Sequence, residues 1–433
     1  MVAGAVSAEV GAVPADWEVL PLGDLLVLSQ YGLSIRGERS GAVPILRMNC
    51  QQDGRVVFRD LQFVDLEPRL LAGYRLHDGD LLFNRTNSYE LVGRTAMFEG
   101  EREAVFASYL VRLRVDRNRV HPAFLNFFLN LPATQERLKG LATRGVSQSN
   151  ISASKLKTLP VVLPSLDVQR RIADLLAVIQ SARLVGSERI DRLRALKAAT
   201  MAKLFRDGLR GDAPRVTEVG DVPRSWEIAR LGDLCGPPDG LIQTGPFGSQ
   251  LHASDYTSDG VPIVNPTHMT DGRIRRDGIP TVSGAHLESL VRHQLRQGDI
   301  LFSRRGDVGR HALVTAREAG WLCGTGCLLV RPRSSAVDPS YLAAYCDSDA
   351  AQVFLQTNAA GTIMPNTNTK ILGALPVVLP SLEEQRSIAA ALDCLSESIQ
   401  VATRTAGCVR HVFDSLLPML VTGHVRLGKA RDA

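Results

Sequence analysis

Two polar runs, each placed directly after an apolar stretch, carry the side chains best equipped for chemistry: Phe83-Asn84-Arg85-Thr86-Asn87-Ser88 and Phe302-Ser303-Arg304-Arg305-Gly306. A guanidinium fork satisfies two acceptors at once, such as guanine O6 and N7 or phosphate oxygens, and an Asn carboxamide matches the adenine edge. Similar groups recur as Gln148 and Asn150, as Asn366, Asn368 and Lys370, and in the basic cluster Arg273, Arg275 and Arg276. The glycine-rich run 243–250 adds Thr244, Phe247, Ser249 and Gln250, and the run 31–36 adds Arg36. All of this is recognition chemistry suited to base edges and phosphates of double-stranded DNA. Taken singly, each run reads as a solvated turn; recurrence at equivalent places in two halves of the chain argues for function.

Bond-making motifs are missing. There is no phosphate loop, no H-E-x-x-H and no G-x-S-x-G elbow. Asn265-Pro266-Thr267-His268 lacks the second proline and the aromatic of the Asn/Asp-Pro-Pro-aromatic tetrapeptide of amino-methyltransferases, and Gly324-Thr325-Gly326 completes no dinucleotide fingerprint. The nine histidines stand apart. The cysteines at 50, 235, 323, 327, 346, 394 and 408 form no C-x-x-C, so buried free thiols are expected. The expectation is a non-catalytic chain with no metal or cofactor site of its own.

The elements that position these groups occur twice. Leu159-Pro-Val-Val-Leu-Pro-Ser-Leu166 recurs unchanged as Leu375-Pro-Val-Val-Leu-Pro-Ser-Leu382, an offset of 216 that also aligns Gln169-Arg170 with Gln385-Arg386 and Val92-Gly93-Arg94 with Val308-Gly309-Arg310. Gly79-Asp80-Leu81-Leu82-Phe83 answers Gly298-Asp299-Ile300-Leu301-Phe302, and Trp17-Glu18 with Leu22-Gly23-Asp24-Leu25 answers Trp226-Glu227 with Leu231-Gly232-Asp233-Leu234. A single long period present twice means duplicated domains and not a solenoid. In each copy, short apolar stretches separated by Gly and Asp read as strands. Helices are expected after His121-Pro122, with Phe124, Leu125, Phe127, Phe128 and Leu129 packed on a sheet, and after Asp338-Pro339.

Beyond each Leu-Pro-Val-Val-Leu-Pro the pattern becomes a long helix. Ser165 and Ser381 stand as N-caps, and Ser381 with Glu384 has capping-box spacing. Apolar residues then return every three or four positions, as in Ile172, Leu175, Leu176, Ile179, Leu196 and Phe205, or Ile388, Leu392, Ile399, Val412, Phe413 and Leu420. Gly186, Gly407 and Pro418 are the weak points. Each helix would be about 60 Å long at 1.5 Å per residue. A lone helix of that length cannot bury its stripe, so an antiparallel pair is expected, though two helices lying on separate domain surfaces would satisfy the same periodicity. The fold class is α+β: two globular domains (1–158 and 208–375) with helical segments at 159–207 and 376–427, related by a pseudo-twofold internal repeat.

A chain of 433 residues exceeds one ordinary core. The net charge of +5 is spread thinly: residues 1–158 hold 19 Lys+Arg against 17 Asp+Glu and residues 208–375 hold 16 against 17, so affinity for DNA must come from local clusters. The N-terminal stretch has no basic region ahead of an apolar core, and a cytoplasmic protein is the expectation.

Together these motifs resemble the specificity (S) subunit of type I restriction–modification enzymes over nearly the whole chain. They are Leu-Pro-Val-Val-Leu-Pro-Ser-Leu-Asp/Glu-x-Gln-Arg-x-Ile-Ala at 159–173 and 375–389, Gly-Asp-Leu/Ile-Leu-Phe at 79–83 and 298–302, Gly-Pro-Phe-Gly-Ser at 245–249, and the helix ends Leu204-Phe205-x-x-Gly208 and Met419-Leu420-x-x-Gly423. The first domain departs from the pattern, with Tyr31-Gly32-Leu33-Ser34-Ile35-Arg36 the nearest counterpart of Gly-Pro-Phe-Gly-Ser. The resemblance implies two target-recognition domains, each reading half of a split asymmetric site, and helices forming an antiparallel coiled coil that sets the spacing. It implies two modification (methyltransferase) subunits and restriction subunits as partners, with S-adenosylmethionine, ATP and Mg on those partners and none on this chain. Two other readings compete: a stand-alone DNA methyltransferase with unrecognised motifs, and a coiled-coil scaffold for protein interactions.

Overall fold

A computed structural model describes residues 13–100, 102–145, 148–246, 251–359 and 365–427. The chain forms two compact units, one of residues up to Ser187 together with those from Arg404 onward, the other of Glu188–Thr403. Each long helix is therefore shared: its first half belongs to the unit of its own repeat and its second half to the other unit.

In the first unit, strands run in the order Leu26–Tyr31, Leu110–Val115, Leu81–Asn84, Thr95–Met97, Arg55–Val56, Gln51–Gln52. A second sheet pairs Val43–Leu46 in parallel with Val105–Phe106 and antiparallel with Gln62–Val64. The second unit repeats the plan: Leu241–Thr244, Cys327–Arg331, Ile300–Ser303, His311–Leu313 form one sheet, and Val261–Val264 pairs in parallel with Leu322–Cys323. The expected helix Pro122–Leu129 is present, with proline supplying its first turn and Phe124, Leu125, Phe127, Phe128 and Leu129 buried. Burying each of these large apolar side chains contributes about 1.5–3 kcal/mol. The mixed strand and helix content and the two repeated domains agree with the α+β expectation.

The repeated motifs turn out to hold each domain to itself. Gly79 and Gly298 turn with φ of +80° and +90°, delivering Asp80 and Asp299, each 1 % exposed, to an arginine on the neighbouring strand. Arg114 donates to Asp80 through Nε (2.7 Å) and Nη2 (2.8 Å), and Arg331 to Asp299 through the same two nitrogens (both 2.7 Å). The Leu-Pro-Val-Val-Leu motif is a strand in both copies: Pro160–Leu163 pairs with Glu18–Pro21, and Pro376–Leu379 with Glu227–Arg230. The helices begin after it, at Leu166 and Leu382, directly behind the expected N-cap positions Ser165 and Ser381. Gln169 and Gln385, each 1 % exposed, fasten the helix starts. Gln169 Oε1 accepts from His121 N and its Nε2 donates to Pro164 O; Gln385 Oε1 accepts from Asp338 N and its Nε2 donates to Pro380 O.

The two long helices are Leu166–Asp207 and Leu382–Val421, 42 and 40 residues. Within the first unit Gly186 lies against Ala406 and the Arg183 guanidinium sits 4.8 Å from the Phe413 ring centroid, so the two helical segments run in opposite directions there. Within the second unit Lys197 neighbours Asp393, and Leu209 N donates to Glu384 Oε1 at 2.9 Å, again in opposite directions. Ser381 caps as expected, its Oγ accepting from Glu384 N, while the Glu384 carboxylate goes to the end of the first helix. The helix-ending glycines turn left-handed, with φ of +64° at Gly208 and +80° at Gly423. A Cβ there would meet Trp226 at 3.3 Å in one case and Pro14 at 2.6 Å in the other.

Some expected stripe residues are exposed: Leu175 (37 %), Leu196 (52 %) and Val412 (45 %). A 3.6-residue period cannot say which edge of a wide stripe finds a partner. Cys394 and Cys408 are likewise exposed, against five buried thiols. No helix among the described residues is long and apolar enough to cross a membrane. Breaking a buried ion pair from one side strands the other charge. Asp299→Ala is therefore expected to lower stability by about 3 kcal/mol, read as a lower urea midpoint for unfolding.

Candidate nucleic-acid interface

In each unit, backbone bonds bring together two loops that lie far apart in sequence. In the first, Ile151 N donates to Arg85 O (2.9 Å), and Thr86–Asn87 pairs with Ser149–Asn150, which pairs in turn with Thr143–Arg144. In the second, Thr367 N donates to Arg304 O (2.9 Å), Gly306 N donates to Pro365 O (2.9 Å), and Arg305 bridges Asn366. The same strand end and the same pre-helix loop thus form one surface in both domains, joining Arg85 to Ile151 and Arg304 to Thr367.

The side chains on this shared frame differ. Arg85 Nη2 donates to Asn150 Oδ1 (3.2 Å), Asn150 Nδ2 donates to Thr86 Oγ1 (3.0 Å), and the guanidinium lies 4.7 Å from the centroid of Tyr31. Arg85 is a clasp across the sheet, with its Nε buried and unpartnered. At the matching place Arg304 Nε, Asn366 Oδ1 and Thr367 Oγ1 are all buried without a hydrogen-bond partner among the described residues. Unmet buried polar atoms are costly, and clustered ones mark a place where an external partner can complete the bonding. Arg305 beside them is exposed.

The remaining candidates separate. Asn84 is 1 % exposed, because it ends an all-buried strand, Leu81–Asn84; it is corrected from a surface reader to a core residue. Asn87 Oδ1 accepts from Ser88 N and Asn368 Oδ1 from Ile371 N, so both shape the backbone, the latter as the N-cap of Thr369–Gly373. Gln148 and Lys370 are exposed, and Thr244 is half-buried at the end of Leu241–Thr244. Phe247, Ser249 and Gln250 lie outside the described residues. The three clustered arginines do not act together: Arg273 Nη2 lies 4.0 Å from Asp393, Arg275 Nη2 donates to Thr267 O, and Arg276 lies 3.8 Å from Glu318 and 5.5 Å from the Trp321 ring centroid. Burial, with Arg275 nearby, holds the His268 imidazole below the usual histidine range, so at neutral pH this loop owes its positive charge to the arginines.

Arg36 is exposed at the rim of a recess of about 380 Å³ that also takes in Arg47, Gln62 and Tyr109. Tyr31 and Tyr109 are 44 % and 43 % exposed and abut the Arg85 clasp, whose N–H donates to Tyr109 O. Sequence reading missed both tyrosines as site residues. Tyr31 stood in the run quoted for Arg36, whereas nothing in the order of residues around Tyr109 distinguishes it from a strand residue. No nucleophile emerges among the described residues: burial pushes the Cys235 thiol up to about 12 and raises the Cys346 thiol, and the hydrogen bond with Cys327, together with burial, raises Cys323, which leaves them inert.

A family model described as the type I restriction modification DNA specificity domain matches residues 14–190 and 223–405. The chain belongs to this family. Its role is DNA sequence specificity in a type I restriction–modification system, and it is a recognition subunit, not the catalyst. Among curated proteins it is similar to the putative type I restriction enzyme MjaX specificity subunit of Methanocaldococcus jannaschii, 27 % identical over 424 residues (97 % of this chain, 96 % of that protein). The MjaVIII specificity subunit of the same organism is 21 % identical, covering 96 % of this chain and 94 % of that protein. The fold is shared with the crystal structure of the S subunit from M. genitalium, with a TM-score of 0.65 at 15 % identity, covering 95 % of this chain and 96 % of that one.

The unequal frames predict opposite outcomes for matched substitutions. Asn150→Ala removes two partnered hydrogen bonds and is expected to cost about 1–2 kcal/mol. Asn366→Ala removes an acceptor that has no partner among the described residues and is expected to change stability by less than about 0.5 kcal/mol. Thermal unfolding of the two variants checks the contrast.

Proposed function

We propose that this specificity subunit reads a bipartite, asymmetric DNA site, each domain reading one half through its paired loops. The observation that carries the proposal is the recurrence of one loop pair on equivalent backbone bonds in both domains, Ile151 N to Arg85 O with Asn150 beside Thr86, and Thr367 N to Arg304 O with Asn366 beside Arg305. Identical frames bearing different side chains suit two different half-sites. Arg304 and Arg305 are the leading contacts in the second domain, and Arg36, Thr86 and Gln148 with Tyr31 and Tyr109 form the corresponding surface in the first.

The domain plan that accompanies this reading has target-recognition domains in 1–158 and 208–375. The two long helices pair as an antiparallel coiled coil that fixes the distance between half-sites. The opposed direction of the helical segments inside each unit supports that pairing. Two modification subunits dock on this frame and restriction subunits join them in the cytoplasm, bringing S-adenosylmethionine, ATP and Mg. Leu175, Val178 and Val185 support a docking role, since they make an exposed apolar stripe at helical spacing on the first helix.

Replacing Arg304 and Arg305 together with Ala is expected to weaken binding or relax sequence choice at one half-site and leave the other unchanged, as read by mapping methylated sites. Equal loss at both halves would instead indicate a general phosphate role. Inserting four residues into either long helix adds about 6 Å, which at 3.4 Å per base pair is a shift of about one to two base pairs in the permitted spacing. Unchanged spacing would remove the coiled-coil ruler.

A further inference from the structure

The two units differ at one position beside the recess that holds Arg36. In each unit a strand that opens Val-Pro, Val43–Leu46 or Val261–Val264, pairs in parallel with a second strand and leads into a one-turn helix. The residue between strand and turn is Arg47 in the first unit and Asn265 in the second. Its backbone is held alike in both: Arg47 N donates to Cys50 Sγ (3.5 Å) and Asn265 N to His268 Nδ1 (3.0 Å). The parallel register puts Ala107 in the place of Gly324. Arg85 N to Tyr109 O and Arg304 N to Gly326 O put Tyr109 in the place of Gly326.

The side chains take different courses. Asn265 lies over Gly324, where a Cβ would collide with its Oδ1. Ala107 carries that Cβ, so the same course is closed to Arg47. Arg47 reaches instead to Asp60, whose carbonyl accepts from Nη2 (2.8 Å). Its Nε is buried without a partner, and its Nη1 makes no hydrogen bond among the described residues. The recess of about 380 Å³ beside it is also walled by Ser34, Arg36, Gln62, Ser108 and Tyr109. Gly37 lets the run 34–37 close one wall, since a Cβ there would meet Gln62 Cβ at 2.6 Å. No carboxylate lines the recess, and neither Arg36 nor Arg47 has an ion-pair partner among the described residues. Two guanidinium groups, two hydroxyls and an amide without a counter-charge make a seat for an oxyanion.

The neighbour of the recess indicates which oxyanion. Tyr109, on its wall, accepts from Arg85 N, so the recess adjoins the reading surface of the first domain. Each strand of a duplex carries a phosphate about every 3.4 Å of rise, and DNA on that surface brings phosphates to the rim. We propose that the recess seats one backbone phosphate of the DNA, with Arg36 and Arg47 as its donors, and so anchors the first domain on its half-site without reading a base. This rests on the bipartite reading above and adds a division of labour to it. A phosphate contact fixes position and carries no sequence information. Asn265, at the matching place, brings no charge to the second domain.

The test uses the full chain assembled with a modification subunit, on duplexes bearing the methylated site. Arg36→Ala with Arg47→Ala is expected to weaken cognate and scrambled duplexes alike, at least about tenfold. The slope of log affinity against log salt is expected to flatten by about 0.9, the share of one phosphate. Arg47→Lys keeps the charge and is expected to keep the slope. In the unsubstituted complex, a neutral methylphosphonate at one phosphate of the first half-site is expected to reproduce the loss, and the double variant is expected to be insensitive there. If no position behaves so, the proposal is overturned. A changed set of methylated sites overturns it as well, since the arginines would then read bases. Weakened assembly at unchanged DNA affinity also overturns it and assigns the recess to a carboxylate of the modification subunit. The preference of the unsubstituted complex for cognate over scrambled half-sites, measured in the same titrations, checks the underlying reading separately.

Discussion

The structure depends on one junction, made twice. A short Pro-Val-Val-Leu strand closes each domain by pairing with the strand that follows Trp17 or Trp226, and the chain then enters a helix of some forty residues. The direction of so long a helix is set by its first turn, where a small angular error would grow along its length. Gln169 and Gln385 remove that freedom, each joining the helix start to the proline-led helix of the domain through buried hydrogen bonds. Everything further along the helices, including which residues meet the other repeat's segment, inherits its geometry from this point.

The duplicated residues and the reading residues obey different rules. Asp80 with Arg114 and Asp299 with Arg331, the two glutamines, and the glycines facing Trp17 and Trp226 all find their partners within one unit. Their repetition expresses folding requirements. Arg85 and Arg304 occupy one backbone position and share a buried, unpartnered Nε, yet Arg85 is spent on Asn150 and Tyr31 while Asn366 Oδ1 and Thr367 Oγ1 beside Arg304 stay without a partner among the described residues. Arg47 and Asn265 differ in the same manner, one lining an open recess and the other lying over Gly324.

These rules explain what the sequence disclosed. The duplication, the long helices, the helix Pro122–Leu129 and the non-catalytic character were legible because periodicity, proline placement and motif spacing are local. The meeting of the two loop runs was legible only as a coincidence of position, since hydrogen bonds such as Thr367 N to Arg304 O span residues far apart in the chain. Burial was not legible in detail: Asn84 looked like a reader and is a core residue, because the four-residue strand it ends is covered on both faces. Arg273, Arg275 and Arg276 looked like one basic patch and are divided among Asp393, Thr267 and Glu318, since neighbours on a turn point different ways.

The two loops of each reading surface are fastened to one another by main-chain atoms. A peptide N–H donates to a carbonyl whatever side chain stands beside it, so the pairing of the loops persists when the residues at these positions change. The fold thereby separates heritable architecture from mutable vocabulary. A lineage can acquire a new half-site by substitutions in one domain while the other domain, the junctions and the helices continue unaltered.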